Sequence, residues 1–406
     1  MSAALRASAH PAGRAGSLSS PAGSPGSHHL YVHVPFCRLL CAYCDFVTVG
    51  GRSAEMGRYV DALLSELAGR AAPGLLATIY FGGGTPSLMP AAAIERLVWG
   101  AVERWNTVPG EVTIEANPSG RETPDWAGLR SAGVNRISLG VQSLRDVELR
   151  ALTRGHSAHE AFAAFRAARA LFGNVSIDLI YAIPGQSLAD WREGLRAAIA
   201  LEPDHLSLYA LQLALQPDEW AAPPRSGALR WRRRMQVRQD EELAADQYRL
   251  AEELLDSAGY RHYELSSWAR PGRESRHNQA YWERRPYTGI GAGAHSYDGS
   301  SRSWNVRELD SYLAARTDCR PVEGQEALGE PTRAFEAVAL GLRMVEGFSR
   351  GAFAAEFGVD PLVRYPGPVA STRQAGLLEV DGDAVRLTPA GRLLANEVLV
   401  AFVPPR

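Results

Sequence analysis

Three cysteines lie within eight residues of one another. They are Cys37, Cys41 and Cys44, spaced C-x3-C-x2-C, with Tyr43 directly before the third. Thiolate sulfur is a soft ligand, so three thiolates this close together favour a soft or borderline metal. A structural zinc takes four protein ligands, and so does a fully protein-held iron–sulfur cluster. Three thiolates therefore predict a metal centre with one open position, where a small molecule can bind and react.

A zinc site completed by His33 is the alternative. Structural zinc ligands usually come as two C-x2-C pairs, or as one such pair with two histidines. The second pair is absent from this sequence, and the fourth cysteine, Cys319, lies far away along the chain. The spacing therefore favours an iron–sulfur cluster over zinc.

The composition is that of an ordinary globular protein. The chain has 406 residues, of which 46% are apolar and 22% charged, and its formal net charge is −2. This balance predicts no attraction to nucleic acid or to anionic lipid, and no apolar run could span a bilayer. All 43 basic residues are Arg, which excludes a lysine Schiff base and a P-loop lysine. Four cysteines, three of them clustered, indicate a reducing cytoplasm.

Short apolar strands alternate with amphipathic helices from residue 30 onward. The predicted strands are 30–34, 78–81, 112–115, 136–141, 175–181 and 205–211. The predicted helices lie near 53–70, 90–105, 124–132, 146–152, 158–172 and 187–201. Repeated βα units indicate a parallel sheet, and six of them predict an α/β fold that is an incomplete TIM-like barrel. Functional groups gather at the carboxyl ends of the strands in such barrels.

Polar residues occur repeatedly at those strand ends. Three glycines at 82–84 let the backbone approach a ligand closely. Glu115 and Asp178 lie inside apolar strands, where a carboxylate is costly unless it is paired or faces a site. For either one alone, a salt-bridged structural residue is the better interpretation. Together with Gln142 and Arg154, in a chain that carries the cysteine motif, they predict a binding site.

The motif C-x3-C-x-aromatic-C resembles the cluster signature of the radical S-adenosylmethionine (radical SAM) enzymes. The resemblance implies a (β/α)6 radical SAM barrel in which the three cysteines hold a [4Fe–4S] cluster. SAM would bind the fourth iron and be cleaved to a 5′-deoxyadenosyl radical. The turn at 82–86 resembles the segment that binds the methionyl amino group. The residues that the resemblance assigns to the SAM site are Tyr31, Tyr43, Gly83, Gly84, Thr85, Glu115, Gln142, Arg154 and Asp178.

Residues from about 30 to 300 resemble, more narrowly, the oxygen-independent coproporphyrinogen oxidase group. The matching segments are 31–36, 115–118, 133–142 and 178–180. True dehydrogenases of the group carry a further Cys where this chain has Phe46, and a longer N-terminal domain. The haem-chaperone branch instead has Cys-Asp-Phe at this place, and it has a HNxxYW motif. This chain has the same motif at 277–282, and its segment 289–296 also resembles that branch. The resemblance therefore implies a haem carrier whose cluster and SAM regulate or drive haem insertion into acceptor proteins.

The HNxxYW motif can also be interpreted from its chemistry. His277 offers an imidazole to haem iron, and Tyr281 and Trp282 offer flat faces to a porphyrin. Taken alone, the motif is better interpreted as a histidine that caps a turn beside core aromatics, and the haem-ligand role depends on the resemblance. His295 is either a second candidate ligand or a residue that faces the SAM site. The arginine run 230–234 is either part of a solvated segment or a clamp for haem propionates.

The domain organisation follows from these patterns. Residues 1–29, rich in Ala, Gly, Ser and Pro, predict a disordered extension. Residues 30–310 form the radical SAM core, and 311–406 form a small C-terminal helical, winged-helix-like domain. Its elements are helices near 331–346 and 349–358, a hairpin at 376–387 and a helix capped by Thr388.

Two other functions stay open at this stage. They are an oxygen-independent coproporphyrinogen III dehydrogenase and a radical SAM enzyme with an unassigned substrate. Expected partners are haem and haem-accepting apoproteins, respiratory ones among them, with no nucleic acid. A homodimer and a peripheral association with membranes through the acceptors are further expectations. The sequence leaves the coupling of SAM cleavage to haem transfer undecided.

Overall fold

The computed structural model of the chain describes residues 26–120, 123–213, 227–315 and 321–404. The strands are β1 (Ser27–Val34), β2 (Phe36–Cys37), β3 (Val49–Gly50), β4 (Leu75–Gly83), β5 (Glu111–Ala116), β6 (Arg136–Gln142), β7 (Val175–Tyr181), β8 (His205–Ala210), β9 (Arg261–Glu264), β10 (Ser267–Ala269), β11 (Tyr287–Ile290), β12 (His295–Tyr297), β13 (Ser301–Asn305), β14 (Val322–Ala327), β15 (Phe348–Ser349), β16 (Leu378–Asp381) and β17 (Ala384–Leu387).

The α-helices are α1 (Met56–Gly69), α2 (Ala91–Trp105), α3 (Trp126–Ser131), α4 (Asp146–Ala151), α5 (Ala158–Arg169), α6 (Leu188–Ile199), α7 (Ala228–Gln236), α8 (Glu241–Ser257), α9 (Arg276–Trp282), α10 (Leu309–Ala314), α11 (Glu330–Gly341), α12 (Arg350–Phe357), α13 (Pro361–Arg364), α14 (Pro366–Gln374), α15 (Pro389–Leu393) and α16 (Ala395–Ala401). Each helix predicted in the barrel region is present, with ends that differ by a few residues. Capping boxes at Ser157 and Ser187 begin α5 and α6.

The central sheet contains seven parallel strands in the order β11-β1-β4-β5-β6-β7-β8. Antiparallel strands extend it on both sides, β12 to β14 beyond β11 and β10 with β9 beyond β8. The six predicted strands and the incomplete barrel are confirmed. Strand β11 was not predicted, because a four-residue strand interrupted by Gly289 carries little local signal.

The first strand of the barrel is longer at its N-terminal end than the predicted strand 30–34. Strand β1 begins at Ser27, and both His28 and His29 are buried. His28 Nε2 lies 2.9 Å from Thr288 Oγ1, and His29 Nδ1 lies 2.8 Å from Thr78 Oγ1. Hydroxyl groups on neighbouring strands therefore pair with one ring nitrogen of each histidine, and these two polar side chains concealed the strand in the sequence. The prediction for 1–25 lies outside the described residues.

The C-terminal part has its own hydrophobic core around the three-stranded sheet β15-β17-β16. The predicted hairpin is confirmed, and Thr388 Oγ1 accepts a hydrogen bond from Gly391 N at 3.0 Å. Strand β14 pairs with β13, so the large sheet continues past the expected boundary at 310. We therefore propose a domain boundary near residue 328, between β14 and α11. No helix of the described residues combines the length and apolar character needed to cross a membrane.

Candidate functional site

The three clustered cysteines line one cavity of about 310 Å³ at the carboxyl edge of the parallel strands. Cys37 ends β2, and Cys41 and Cys44 lie in the loop that follows it. All three side chains are partly exposed, and none forms a disulfide within the described residues. Thr85 Oγ1 donates to Cys37 Sγ at 3.7 Å, and Arg154 Nη1 donates to Cys41 Sγ at 3.4 Å. Donors to cluster sulfur stabilise thiolates and tune the reduction potential of a bound cluster.

Asn117 connects these two sulfur donors. Its Nδ2 donates to Thr85 Oγ1 at 2.8 Å, and its Oδ1 accepts from Arg154 Nη2 at 2.7 Å. Sequence reasoning did not assign Asn117 to the site. Its spacing of two from Glu115 was the available signal, because residues i and i+2 of a strand face the same side.

The glycine turn after β4 lies directly against the cysteine loop. A Cβ on Gly84 would lie 2.7 Å from Phe36 O, and one on Gly83 would lie 2.5 Å from the His33 ring. Gly83 also has a φ of 113°, which favours glycine. Both glycines line the cavity. The turn therefore needs glycine for packing against the loop as well as for access to a ligand.

His33 does not complete a zinc site. Its Nε2 lies 2.8 Å from Val47 O, and its Nδ1 lies 3.1 Å from Tyr31 OH, so both ring nitrogens have partners. Burial lowers the pKa of His33 to about 4. Among the described residues, no three His, Cys, Asp or Glu side chains converge on the position of one metal ion. The residues present fit a cluster held by three thiolates better than a single zinc.

Two buried carboxyl groups face the same cavity. Glu115 accepts hydrogen bonds from Tyr80 OH at 2.8 Å and from Gly83 N at 3.1 Å. Burial raises the pKa of Glu115 to about 7, although these bonds oppose the shift. Asp178 accepts from Ser138 Oγ at 3.0 Å, and burial raises its pKa as well. Such carboxylates suit a cationic ligand, whose charge would compensate their desolvation.

Most of the predicted SAM residues meet at this cavity. Gln142 adopts a φ of 65° at a register shift between β6 and β7, a strained conformation of the kind found at ligand sites. Thr85 contacts Cys37, whereas Tyr31 stacks behind Tyr80 with 6.2 Å between ring centroids. The predicted residues that line the cavity are Tyr43, Gly83, Gly84, Glu115, Gln142, Arg154 and Asp178. Lining residues that the sequence did not assign to the SAM site include Tyr80, Asn117, Ser138, Ser207, Tyr209 and Asn278.

His277 of the HNxxYW motif is fully buried in α9. Its Nδ1 lies 2.6 Å from Thr78 Oγ1, and its Nε2 lies 2.8 Å from Tyr281 OH. Burial holds the pKa of His277 well below its ordinary value, so the ring is neutral. Because both nitrogens already have partners, His277 as a haem ligand stays a prediction that this conformation disfavours. The other candidate, His295, stacks on Trp304 with 6.1 Å between ring centroids.

A second cavity, of about 300 Å³, lies at the C-terminal end of α9, against α11. Its walls are aromatic and cationic, and they consist of Tyr281, Trp282, Arg284, Arg285, Tyr287, Tyr297, Arg302, Glu336 and Leu340. The Arg343 guanidinium lies 4.3 Å from the centroid of the Trp282 ring. Arg284 Nη1 donates to Glu356 Oε1 at 3.1 Å, so part of the positive charge is neutralised.

Comparison with known proteins assigns the class. Residues 31–198 match the model of the radical SAM superfamily, and residues 328–394 match that of the HemN C-terminal domain. The solved structure of coproporphyrinogen III oxidase (HemN) from Escherichia coli, described as a radical SAM enzyme, superposes with a TM-score of 0.78. It is 24% identical, and the match covers 93% of this chain and 90% of that one. Fold and cysteine site therefore define a radical SAM protein, a class that implies a [4Fe–4S] cluster and SAM.

Curated relatives narrow the assignment. The heme chaperone HemW of Mycobacterium tuberculosis is 38% identical over 383 residues, which covers 91% of this chain and 93% of that protein. The HemW of Bacillus subtilis is 31% identical, with 92% and 98% covered, and that of Escherichia coli K12 is 33% identical, with 92% and 97% covered. The chain belongs to the HemW family, which confirms the resemblance drawn from the sequence.

Proposed function

We propose that the chain is a haem chaperone that carries a [4Fe–4S] cluster, binds SAM and delivers haem to acceptor proteins. The observation that carries the proposal is that α9 contributes to both cavities. Asn278 lines the cysteine cavity, while Tyr281 and Trp282, at the C-terminal end of the same helix, line the aromatic cavity. The relatives named above, which are heme chaperones, support the same function.

Each cavity has residues suited to its proposed ligand. Cys37, Cys41 and Cys44 would hold the cluster, which when bound supplies the electron that cleaves SAM. Glu115 and Asp178 present carboxyl groups to the positively charged SAM. The aromatic cavity offers ring faces for a porphyrin and arginines for its propionates.

A continuous series of contacts connects the two cavities. Tyr80 OH donates to Glu115, and the Tyr80 ring stacks on His277 with 5.0 Å between centroids. His277 in turn contacts Tyr281 OH at 2.8 Å. We therefore expect SAM bound beside Glu115 to change the affinity for haem through these packed, buried groups, and the coupling free energy between the two ligands measures this effect.

The direct test is to mix the purified protein with haem and, separately, with coproporphyrinogen III under anaerobic reducing conditions with SAM. We expect about one haem bound per chain and no decarboxylation beyond a control without protein. Phe46, exposed at the mouth of the cysteine cavity, supports this expectation, since the dehydrogenases of the group carry Cys there. Accumulation of protoporphyrinogen without haem binding would support the dehydrogenase instead.

Replacing Trp282 by Ala should weaken haem binding by about tenfold, because one aromatic wall of the cavity is lost. Cluster content and SAM binding should stay unchanged. Haem titration followed by the Soret band measures the effect. Trp99→Ala, at a half-exposed tryptophan on α2, is the matched control. If Trp282→Ala binds haem as tightly as wild type, haem does not bind in the aromatic cavity.

His277→Ala tests the ligand prediction made from the sequence. An altered Soret band would support iron ligation by His277. An unchanged Soret band together with a lower unfolding temperature would instead assign His277 a structural role, as its buried contacts with Thr78 and Tyr281 indicate. His295→Ala is the next variant in that case.

The haem acceptors, the membrane association and the oligomeric state are proposed from the family alone. We propose delivery of haem to respiratory apoproteins in the cytoplasm, with peripheral membrane association through these acceptors. A homodimer is proposed on the same basis. Size-exclusion chromatography with light scattering, and co-sedimentation with membranes that contain an acceptor, would test these two points.

A further inference from the structure

The arginine run at 230–234 lies on a helix that packs against the cysteine loop. In α7, Trp231, Arg232 and Met235 are buried, whereas Arg230, Arg233 and Arg234 are exposed. Trp231 Nε1 donates to Ala151 O at 3.2 Å. None of the run lines the aromatic cavity, so the arrangement gives no support to a propionate clamp there. The one arginine of the run that faces inward has another set of partners.

Arg232 is only 1% exposed, and it is bonded to the segment that carries the third cysteine. Its Nε donates to Ala42 O at 3.1 Å, and its Nη2 donates to Cys44 O at 3.3 Å. The same Nη2 lies 2.5 Å from Asp45 Oδ1. A planar guanidinium with several fixed donors can hold two carbonyl groups and a carboxylate together, which a lysine ammonium does less well.

We propose that Arg232 is a positioning residue for the cluster, and that its charge, opposed by Asp45, sets the reduction potential. The three contacts fix the backbone on both sides of the Cys44 thiol. A buried positive charge beside the loop stabilises the reduced cluster, which carries one more negative charge than the oxidised cluster. Asp45, 40% exposed on its side chain, acts in the opposite direction. This role of Arg232 rests on the proposed [4Fe–4S] cluster and does not depend on haem binding.

The opposite charges of Arg232 and Asp45 allow a test that distinguishes an electrostatic effect on the cluster from a purely structural role. Arg232→Gln should shift the midpoint potential of the reconstituted cluster to a more negative value, because it removes the positive charge. Asp45→Asn should shift it to a more positive value, because Arg232 is then uncompensated. Redox titration followed by electron paramagnetic resonance measures both. Arg233→Gln, on the exposed face of the same helix, should leave the potential unchanged.

A second measurement uses the protein without its cluster. Alkylation of Cys44 by iodoacetamide, located by mass spectrometry, should be severalfold faster in Arg232→Gln than in wild type, because two backbone anchors are lost. Arg232→Lys should retain the potential of the wild type more closely than Arg232→Gln, yet still show faster alkylation. This readout remains informative for a variant that does not take up a cluster.

The proposal is overturned if Arg232→Gln and Asp45→Asn shift the potential in the same direction, or if neither shifts it. It is also overturned if Cys44 is alkylated at the wild-type rate in Arg232→Gln. Failure of haem delivery would leave these results unaffected, so the two proposals can be judged separately.

Discussion

Replacing any one of Cys37, Cys41 and Cys44 by Ala is expected to leave the protein without its iron–sulfur cluster. Anaerobically reconstituted wild-type protein should hold about four irons and four sulfides per chain, as a [4Fe–4S] cluster requires. The loss should be nearly complete, because each cysteine supplies one of the three thiolates and both ring nitrogens of the nearby His33 already have partners. Iron and sulfide analysis, with the sulfide-to-iron absorption band, measures the result.

Cys319→Ala is the control for loss of a thiol, since this cysteine is remote in sequence from the motif. Its position lies outside the described residues. Cluster content equal to wild type is expected there. A wild-type protein that holds one zinc and shows no sulfide-to-iron absorption would contradict the assignment of a radical SAM cluster site.

Replacing Glu115 by Gln is expected to weaken SAM binding by roughly 10- to 100-fold, because a buried carboxylate that lines the proposed SAM cavity is lost. In the wild-type protein, SAM affinity should also fall as the pH falls through about 7, where Glu115 takes up a proton. Equilibrium dialysis with SAM across pH 6 to 8 measures both effects. Glu148→Gln, at a second buried glutamate outside the cavity, should leave SAM binding unchanged.

Glu115 should also make the free energy of unfolding of the SAM-free protein depend on pH. Burial raises the pKa of Glu115 from 4.5 to about 7, so the folded state binds more protons than the unfolded state between these values. The contribution of Glu115 to the free energy of unfolding therefore decreases as the pH rises through this window, by about 3 kcal/mol in total. Glu115→Gln removes this pH dependence.

The unfolding temperature of Glu115→Gln, relative to wild type, should therefore be higher at pH 8 than at pH 5. Thermal unfolding followed by circular dichroism at both pH values measures the difference. A variant whose stability relative to wild type is the same at pH 5 and pH 8 would show that Glu115 titrates normally. A buried cavity carboxylate that destabilises the ligand-free protein is the exchange of stability for function expected at a ligand site.

The sequence by itself determined the elements of this protein whose signal is local. The spacing of Cys37, Cys41 and Cys44 is a covalent property of one loop, so it predicted the metal chemistry. The alternation of apolar strands and amphipathic helices predicted six parallel strands, because side-chain periodicity reflects which face is buried. Glu115 and Asp178 were found because a carboxylate inside an apolar strand conflicts with its surroundings unless it serves a site.

Only the tertiary structure decided which remote segments meet. Strand β11 lies beside β1 through pairing between residues more than 250 positions apart, and its four residues carry no pattern of their own. For His277 the sequence left a haem ligand and a structural histidine both open, and in the fold α9 buries it between Thr78 and Tyr281. Arg232 reaches the cysteine loop across 188 positions. Such contacts depend on how the sheet and its helices pack, and local periodicity contains no information about partners far away in the chain.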